Sequence, residues 1–291
     1  MISTTVPRPN FRLRIFPFVW ALLYPIRLYL KSFPFQRGKG LLLRYIVTPM
    51  LPPREVEFDL PVPGGIVALR YRETLGLSSL LYGPFESGEL AFVSSFLRSG
   101  EVALDIGANV GLFSVVMAAA VGEEGRIFSF EPVPSNVARL ARNLRRNDFR
   151  NTQIFPVALG DVDAEMRLHM SVDPAYPSLH EVQLGLGDGT ALPVNVRTLD
   201  DIWHEAGKPS IAFIKMDVEG AEINVLMGAP RLLSICRPSL LVEANSKEHL
   251  AQLKDHLFRL GYRHIRPEGF LPHNHLFVCP LSVEAAAETA R

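Results

Sequence analysis

Cysteine, excess charge of either sign and long apolar runs are all scarce in this chain of 291 residues. The two cysteines, Cys236 and Cys279, are too few for a disulfide framework or a zinc site, so we interpret them as reduced thiols of a cytoplasmic protein. Basic and acidic residues number 30 each, and the formal net charge is zero. Because phosphate neutralisation supplies most of the affinity for nucleic acid, we expect no nucleic-acid partner.

Residues 1–54 form a hydrophobic and basic extension for which we predict a helical structure. Pro17, Pro25 and Arg27 interrupt its apolar stretch, which therefore falls short of the ~18–20 residues that span a bilayer. A signal peptide fits poorly, since no small-residue cleavage site follows. Two interpretations stay open for residues 11–45. They form a collar on the domain or in a homo-oligomer interface, or a basic amphipathic segment in peripheral contact with a membrane.

The pattern changes at residue 55. Apolar and polar residues alternate over 56–60, a Gly-Gly turn follows, and a second strand is expected over 66–71. Ser87 is a candidate N-cap for a helix that ends before Gly100. We therefore assign residues 55–100 to a β-hairpin and a lead-in helix.

From residue 101 to residue 280, short apolar runs alternate with helical patterns. The predicted strands are 102–105, 126–131, 152–159, 211–216 and 239–243, and the predicted helices are 112–121, 134–147 and 247–260. This alternation predicts an α/β domain with a parallel sheet. Residues 262–265 and 276–279 are expected to close it as a pair of strands, and 281–291 to form a flexible tail.

Two further features of this domain bear on function. An inserted hairpin is expected at 165–170 and 193–196, and its long connector, 171–190, is a candidate acceptor-binding loop together with 266–275. The arginines of the helix at 134–147 are interpreted as a solvated face and not as an RNA-binding patch. They are Arg139, Arg142, Arg145 and Arg146.

A nucleoside-binding pattern follows the first strand of this domain. Asp105 ends the strand, the loop Gly107–Gly111 leads into a helix, and Glu131 ends the next strand, where its carboxylate can accept both ribose hydroxyls. A NAD site uses the same acid. The loop glycines are four apart, however, unlike those of a pyrophosphate loop. A carboxylate before the loop also suits a cationic ligand, which favours S-adenosylmethionine over NAD.

A second charged pattern, from Lys215 to Glu222, follows the strand at 211–216. Lys215 and Asp217 alternate with one apolar residue and should share a face. Glu219 and Glu222 are three apart and should share a helix face. A carboxylate here can act as a general base, or a pair can hold a divalent cation. An ion-pair network that caps a helix is the structural alternative.

Together these motifs resemble the FkbM-type methyltransferase family. The matching segments are 104–111, 130–132, 157–160, 197–200, 214–222 and 241–243, with the lead-in 82–86. The resemblance implies a Rossmann-like class I methyltransferase sheet, mostly parallel, whose last strand is antiparallel. It also implies O-methylation of a hydroxyl on a sugar, a glycolipid or a polyketide-type small molecule.

We predict the site residues from the motifs and the resemblance together. For cofactor binding they are Glu86, Asp105, Gly107, Ala108, Asn109, Gly111, Glu131, Ala158 and Asp217. For catalysis they are Asp217 as the base, with Lys215 and Glu219 in support, and His180 as a second candidate base. Metal dependence is open, with Asp217 and Glu222 as candidate ligands. Three alternatives also stay open: an RNA or protein methyltransferase, a NAD-dependent oxidoreductase, and a non-catalytic binding module.

Overall fold

The computed structural model describes residues 56–71, 73–82, 85–169 and 191–280. Predictions for the N-terminal extension, for the connector 171–190 with His180, and for the tail lie outside these residues. The described residues divide into two compact units, one made of 56–61 and 68–85 and the other of 62–67, 86–169 and 191–280. Within those ranges, every helix is too short or too polar to cross a membrane.

The smaller unit contains most of a two-stranded sheet and one helix. Strands β1 (Glu57–Val62) and β2 (Gly65–Arg70) pair as predicted. Helix α1 (Thr74–Tyr82) follows them and was not predicted from the sequence. Gly76 packs so closely on the preceding strand that an added Cβ would lie 1.9 Å from the carbonyl oxygen of Arg70. This close approach explains a glycine inside the helix, where the residue otherwise weakens structure.

The larger unit begins with helix α2 and continues as alternating strands and helices. In chain order the elements are α2 (Ser87–Phe96), β3 (Val102–Ile106), α3 (Leu112–Val121), β4 (Arg126–Phe130), α4 (Pro134–Arg146), β5 (Thr152–Phe155), β6 (Ala158–Gly160), β7 (Ala164–His169), β8 (Ala191–Thr198), α5 (Leu199–Glu205), β9 (Ile211–Met216), α6 (Glu222–Met227), α7 (Pro230–Cys236), β10 (Ser239–Glu243), α8 (Lys247–Arg259), β11 (Arg263–Ile265) and β12 (Asn274–Val278).

Seven of these strands form the central sheet, in the order β11-β12-β10-β9-β3-β4-β5. The strands from β10 to β5 run parallel, whereas β12 is antiparallel to both β10 and β11. This topology confirms the predicted α/β, Rossmann-like sheet with an antiparallel last strand. Asp105 on β3 lies opposite Lys215 on β9, so the two predicted motifs meet at neighbouring strand ends.

The core lies on both faces of this sheet, which explains why its strands are continuous apolar runs. Helix α3 is buried along nearly its whole length and is bracketed by Gly111 and Gly122, so its predicted bounds are correct. Phe128, Phe130 and Phe213 are among the largest fully buried side chains. A rigid sheet of this kind fixes the positions of the groups that follow each strand.

The predicted strand at 152–159 is in fact two strands. Pro156 separates β5 from β6, since it offers no backbone N–H to a sheet ladder. Strand β6 leaves the central sheet and pairs with β8, which in turn pairs with β7, as a three-stranded sheet. The antiparallel pairing of β7 with β8 confirms the predicted inserted hairpin.

Two local predictions were wrong. Ser87 is the first residue of α2 and not its cap, because the cap position is Glu86 in a left-handed conformation with no side-chain capping bond. Arg139 is buried and not solvated. The buried stripe of α4 includes the polar Asn143, whose Nδ2 donates to the carbonyl oxygen of Val110 at 2.8 Å, and Arg139 shares that stripe. Apolar periodicity alone placed the stripe incorrectly. Helices α5, α6 and α7 were also missed.

Candidate functional site

The loop between β3 and α3 uses nearly all of its own N–H groups. The amides of Gly107 and Ala108 both donate to the carbonyl oxygen of Phe130, at 3.0 and 2.9 Å. The amide of Asn109 donates to Glu131 Oε2 at 2.9 Å, and that of Gly111 donates to Ala108. Among the amides of the five loop residues, only that of Val110 is absent from these hydrogen bonds. The loop therefore differs from a phosphate cradle, in which such amides point at the ligand.

Gly107 occupies a position that no other residue fits without strain. Its φ is +80°, and an added Cβ would lie 1.8 Å from the carbonyl oxygen of Asp217. The amide of Asp217 in turn donates to the carbonyl oxygen of Ile106 at 3.0 Å. The backbone after β9 thus lies directly against the loop after β3, which ties the first motif to the second.

Asp105 is fully buried at the end of β3. One carboxylate oxygen accepts a hydrogen bond from Ser114 on α3, whose hydroxyl lies 2.8 Å from that of Ser129. The other oxygen, Oδ1, has no hydrogen-bond partner among the described residues. Burial raises the pKa of Asp105, and the ammonium group of Lys215 opposes that rise. A buried carboxylate oxygen without a donor is costly unless a ligand supplies one.

Glu131 follows β4 directly, as predicted. Its Oε1 accepts from Val133 N at 2.9 Å and from Asn136 Nδ2 at 3.3 Å, while Oε2 accepts from Asn109 N. Burial raises its pKa, and these bonds counteract part of the increase. A carboxylate has about four acceptor positions, so these three donors leave about one free for a ligand.

Lys215 is the positive centre of the site and is buried. Its Nζ lies 3.1 Å from Asp217 Oδ2 and 5.0 Å from the centroid of the Phe113 ring. Burial alone lowers the pKa of this ammonium group, but the carboxylates of Asp217, Asp105 and Glu86 raise it above the usual value. The alternation of Lys215 with Asp217 correctly predicted that both side chains share one face.

Asp217 also shares a hydrogen bond with Glu243, at the end of β10. Burial and the nearby Asp217 carboxylate raise the pKa of Glu243 well above the usual range. Burial raises the pKa of Asp217 as well, but Lys215 and the bond with Glu243 outweigh it and lower the pKa overall. Near neutral pH Asp217 therefore carries the negative charge of this pair and Glu243 carries the proton.

Glu219 and Glu222 do not share a helix face, contrary to the prediction. Glu219 has a φ of +58° and Gly220 a φ of +99°, so the chain turns there and α6 starts only at Glu222. Glu222 is buried, and its Oε1 accepts from the amides of Val218 and Gly220. Glu219 is exposed, but partial burial of its carboxyl group, together with the charges of Asp217 and Glu222, raises its pKa to about 7.

A buried pair of glutamates anchors the loop between β11 and β12. Asn274 Nδ2 donates to Glu86 Oε1 at 2.6 Å and to Glu89 Oε1 at 2.9 Å, and Glu89 also accepts from the amide of Leu271. Burial raises the pKa of Glu86 to about 7, although Lys215 lowers it. Glu86 is left-handed, with a φ of +54°, a conformation that is strained for this residue type.

His273 belongs to the site but was not singled out in the sequence. Its backbone oxygen accepts from Ala244 N at 2.8 Å, and its Nε2 lies 3.8 Å from Glu243 Oε1. The signal was weak, because His273 is one of several histidines near the last strand and is about thirty residues from Glu243. Only the antiparallel pairing of β12 with β10 brings the two together.

The structure brings together Glu86, Asp105, Lys215 and Asp217. Ala158 lies on β6 of the smaller sheet, opposite Val196, and its cofactor role stays a prediction. For the metal question, no group of three or more His, Cys, Asp or Glu side chains suited to a metal ion occurs in the described part of the chain. The candidate role of Asp217 and Glu222 as metal ligands stays a prediction.

Comparison with known proteins identifies relatives of this chain. The 2-O-methyltransferase NoeI of Sinorhizobium fredii (strain NBRC 101917 / NGR234) is 34% identical over 159 residues, which cover 50% of this chain and 64% of NoeI. The 31-O-demethyl-FK506 methyltransferase FkbM of Streptomyces tacrolimicus is 26% identical over 195 residues, covering 56% of this chain and 74% of the relative. Methyltransferase 1 of Beauveria bassiana (strain ARSEF 2860) is 28% identical over 152 residues, covering 43% of this chain and 57% of the relative.

The chain thus spans less than two thirds of NoeI and of Methyltransferase 1. Among solved structures, the methyltransferase FkbM from Methylobacillus flagellatus KT aligns with a TM-score of 0.44 and 21% identity, covering 69% of this chain and 52% of that chain. The methyltransferase FkbM domain matches residues 105–264, from the buried aspartate near the end of β3 to β11. That match extends over more than half of the 291 residues, and the chain belongs to the FkbM methyltransferase domain family.

Proposed function

We propose that this protein is an S-adenosylmethionine-dependent O-methyltransferase. Its acceptor is a hydroxyl of a sugar, a glycolipid or a polyketide-type small molecule. Family membership supports methyl transfer, and two relatives carry names that specify transfer to oxygen. The acceptor class rests on those relatives and on the resemblance seen in the motifs.

The cofactor assignment rests on the hydrogen bonds that the amides of the loop between β3 and α3 form. Gly107, Ala108, Asn109 and Gly111 donate their N–H groups within the protein, so the loop offers little to a pyrophosphate. The buried Asp105 Oδ1, which has no donor among the described residues, suits a ligand that brings positive charge or a donor. Both features favour a cationic nucleoside over a dinucleotide.

The described residues fit such a nucleoside in a defined way. Glu131 would accept a ribose hydroxyl at its remaining position, and a second hydroxyl would have to displace Asn136 Nδ2, its longest bond at 3.3 Å. Asp105 and Glu86 would face the charged end of the cofactor. S-adenosylmethionine, when bound, supplies a methyl group activated by a positively charged sulfur.

Transfer of that methyl group to oxygen depends mainly on alignment, so the protein must hold the acceptor hydroxyl in line. The Lys215–Asp217 pair is well suited to fix this geometry, because Lys215 is buried and the backbone of Asp217 lies against Gly107. We predict that Asp217 and Lys215 orient the reacting groups and that Glu219 borders the acceptor.

Calorimetry with S-adenosylmethionine, S-adenosylhomocysteine and NAD, each added separately to the full chain, tests the cofactor. We expect saturable binding of the first two and none of NAD. Transfer of a labelled methyl group to a panel of hydroxyl-bearing sugars, glycolipids and macrolides, followed by mass spectrometry of the product, tests the reaction. Saturable NAD binding without S-adenosylmethionine binding would contradict the proposal, as would transfer only to nitrogen.

Glu131→Gln tests the ribose contact. The amide keeps the size of the side chain but replaces one acceptor oxygen with a donor, so binding of S-adenosylmethionine should weaken at least tenfold. Glu124→Gln, an exposed change of the same chemistry in the turn before β4, is the matched control and should bind as the wild type does.

A further inference from the structure

His273 is the imidazole that lies beside the charged centre and also reaches solvent. It precedes β12, and the bond from Ala244 N to its carbonyl oxygen holds its backbone next to the end of β10. Its Nε2 lies 3.8 Å from Glu243 Oε1, within ion-pair range. The side chain of His273 is 34% exposed, whereas that of Glu243 is 11% exposed and that of Lys215 is 7% exposed. The side chain of Asp217 is 28% exposed, so an acceptor entering from solvent meets the imidazole and Asp217 before it meets Lys215 and Glu243.

Lys215, Glu243 and Asp217 are poorly suited to take a proton from a hydroxyl. Lys215 is already protonated, because the surrounding carboxylates raise its pKa. Glu243 also holds its proton. Asp217 is ionised, but Lys215 and Glu243 both stabilise its charge, and its lowered pKa makes it a weak base. These three groups can orient and stabilise, and a more basic group beside them would accept the proton more readily.

The imidazole of His273 is better suited to accept a proton. Burial lowers the pKa of His273, while Asp217 and Glu89 oppose the decrease, so the ring is neutral near pH 7 and has a free nitrogen lone pair. Once protonated, it would lie beside the negative charge of the Asp217–Glu243 pair. The titratable groups that face it are Asp217 after β9, Glu243 on β10, Glu89 on α2 and His275 on β12.

We infer that His273 is the general base that accepts the proton of the acceptor hydroxyl, with Asp217 and Glu243 as positioning residues behind it. The inference rests on the proposed function. The hydroxyl oxygen forms a bond to the methyl carbon while the carbon–sulfur bond breaks and leaves its electron pair on sulfur. The hydroxyl proton moves to a ring nitrogen of His273 and later leaves to solvent.

His273→Asn tests this role, because asparagine keeps a polar group near the position of Nδ1 but cannot accept the proton. His204→Asn, the same change at an exposed position on α5, is the matched control. We expect His273→Asn to lower kcat about 100-fold or more, the lower end of the range for a general base. Its KM for S-adenosylmethionine and its calorimetric Kd should stay within threefold of the wild type, and the acid limb of its pH–rate profile should disappear.

A readout that needs no turnover is the NMR titration of the His273 ring in the free protein. We expect a pKa below the usual 6.5, and a further decrease in Asp217→Asn, because that variant removes the charge that supports the protonated ring. A His273 pKa that does not respond to Asp217→Asn would overturn the coupling between them.

The kinetic outcomes separate this inference from the proposed function. If the wild type binds no S-adenosylmethionine and methylates nothing, the proposed function fails, whatever the variant does. If the wild type transfers methyl groups and His273→Asn does so within twofold with an unchanged acid limb, the inference alone fails. A 100-fold loss in Glu219→Gln combined with a normal His273→Asn would move the base to Glu219.

Discussion

Gly107 and Gly207 both have a positive φ, but only Gly107 is also in a place with no room for a side chain. Both are left-handed, at +80° and +83°, but an added Cβ at Gly107 would strike Asp217 whereas at Gly207 it would meet nothing within 4 Å. We expect Gly207→Ala to lower the free energy of unfolding by about 1–2 kcal/mol, the cost of the conformation alone. Gly107→Ala should cost about 1–3 kcal/mol more, because the backbone has to move.

Chemical denaturation of the two alanine variants measures this difference in stability. Calorimetry shows whether each substitution also changes cofactor binding. Gly107→Ala should also weaken binding of S-adenosylmethionine, since it displaces Asp217, while Gly207→Ala should bind normally. Equal losses of stability in the two variants would show that the contact between the loop and the backbone of Asp217 is loose.

Lys215 offers a second test at the scale of one residue. Lys215→Met leaves Asp105, Asp217 and Glu86 around an apolar side chain, and removing one partner of a buried ion pair costs about 3–5 kcal/mol. Lys247→Met, at the exposed start of α8, should change stability by less than about 0.5 kcal/mol. Urea unfolding at pH 7 compares them, and the loss should shrink near pH 4 as the carboxylates become protonated. A loss below about 1 kcal/mol at pH 7 would mean that water, and not Lys215, stabilises these acids.

At this scale the sequence predicts contacts within one strand end but not across the sheet. Alternation along β9 was enough to pair Lys215 with Asp217. The position of His273 beside Glu243 depends on the register of β10 with β12, and the turn and loop that set this register give no such signal in the sequence. Glu219 was misplaced because it adopts a left-handed conformation before the helix begins. The sequence gives little signal of that conformation in a residue other than glycine.

Among the elements, those bracketed by clear breakers were predicted well. Helix α3 lies between two glycines, and β9 and β10 are apolar runs that end in charged residues, so their bounds were correct. The short helices α6 and α7 were missed because they follow each other across Gly228 and Ala229 and are too short to show periodicity. Tertiary packing, and not local propensity, decides such segments.

The hairpin of β11 and β12 carries a prediction of its own. His264 Nε2 lies 3.1 Å from His275 Nδ1, and burial, followed by His264 and the nearby charges of Arg266 and Lys254, lowers the pKa of His275 to about 4. Between pH 4 and 6.5 the unfolded chain therefore binds more protons than the folded one at this residue. The stability from this group is present above pH 6.5 and is lost as the pH falls toward 4.

His275→Gln should remove that dependence, because glutamine can still bond to His264 but does not titrate. The difference in unfolding free energy between wild type and variant should change by up to about 1.4 kcal/mol per pH unit from pH 4 to 6.5 and stay constant above. His204→Gln, exposed on α5, should keep the wild-type slope. Parallel curves for His275→Gln and the wild type would show that the histidine pair is hydrated and not buried in solution.

At the scale of the whole molecule, basic and acidic charges balance, so a charged ligand has to be attracted by charges close to the site. Equal numbers of acidic and basic residues leave no net charge that would steer a cation toward the site from a distance. The negative charge that attracts it must then come from the buried acids, and part of that charge is masked by protons at neutral pH. Glu86, whose pKa is raised to about 7, is about half protonated there.

Binding of a cationic cofactor beside Glu86 should therefore release protons. A positive charge nearby favours the carboxylate, so about half a proton should leave per S-adenosylmethionine bound at pH 7, and affinity should increase from pH 6 to 8. Calorimetry in two buffers of different ionisation enthalpy measures the release. S-adenosylhomocysteine, which lacks the sulfonium charge, should release less. In Glu86→Gln, which keeps an oxygen for Asn274, the release should decrease for both ligands, and any remainder comes from Glu219, whose pKa is also raised to about 7. Proton uptake on binding, or a release that is unchanged in Glu86→Gln, would place the cofactor's charge away from this cluster.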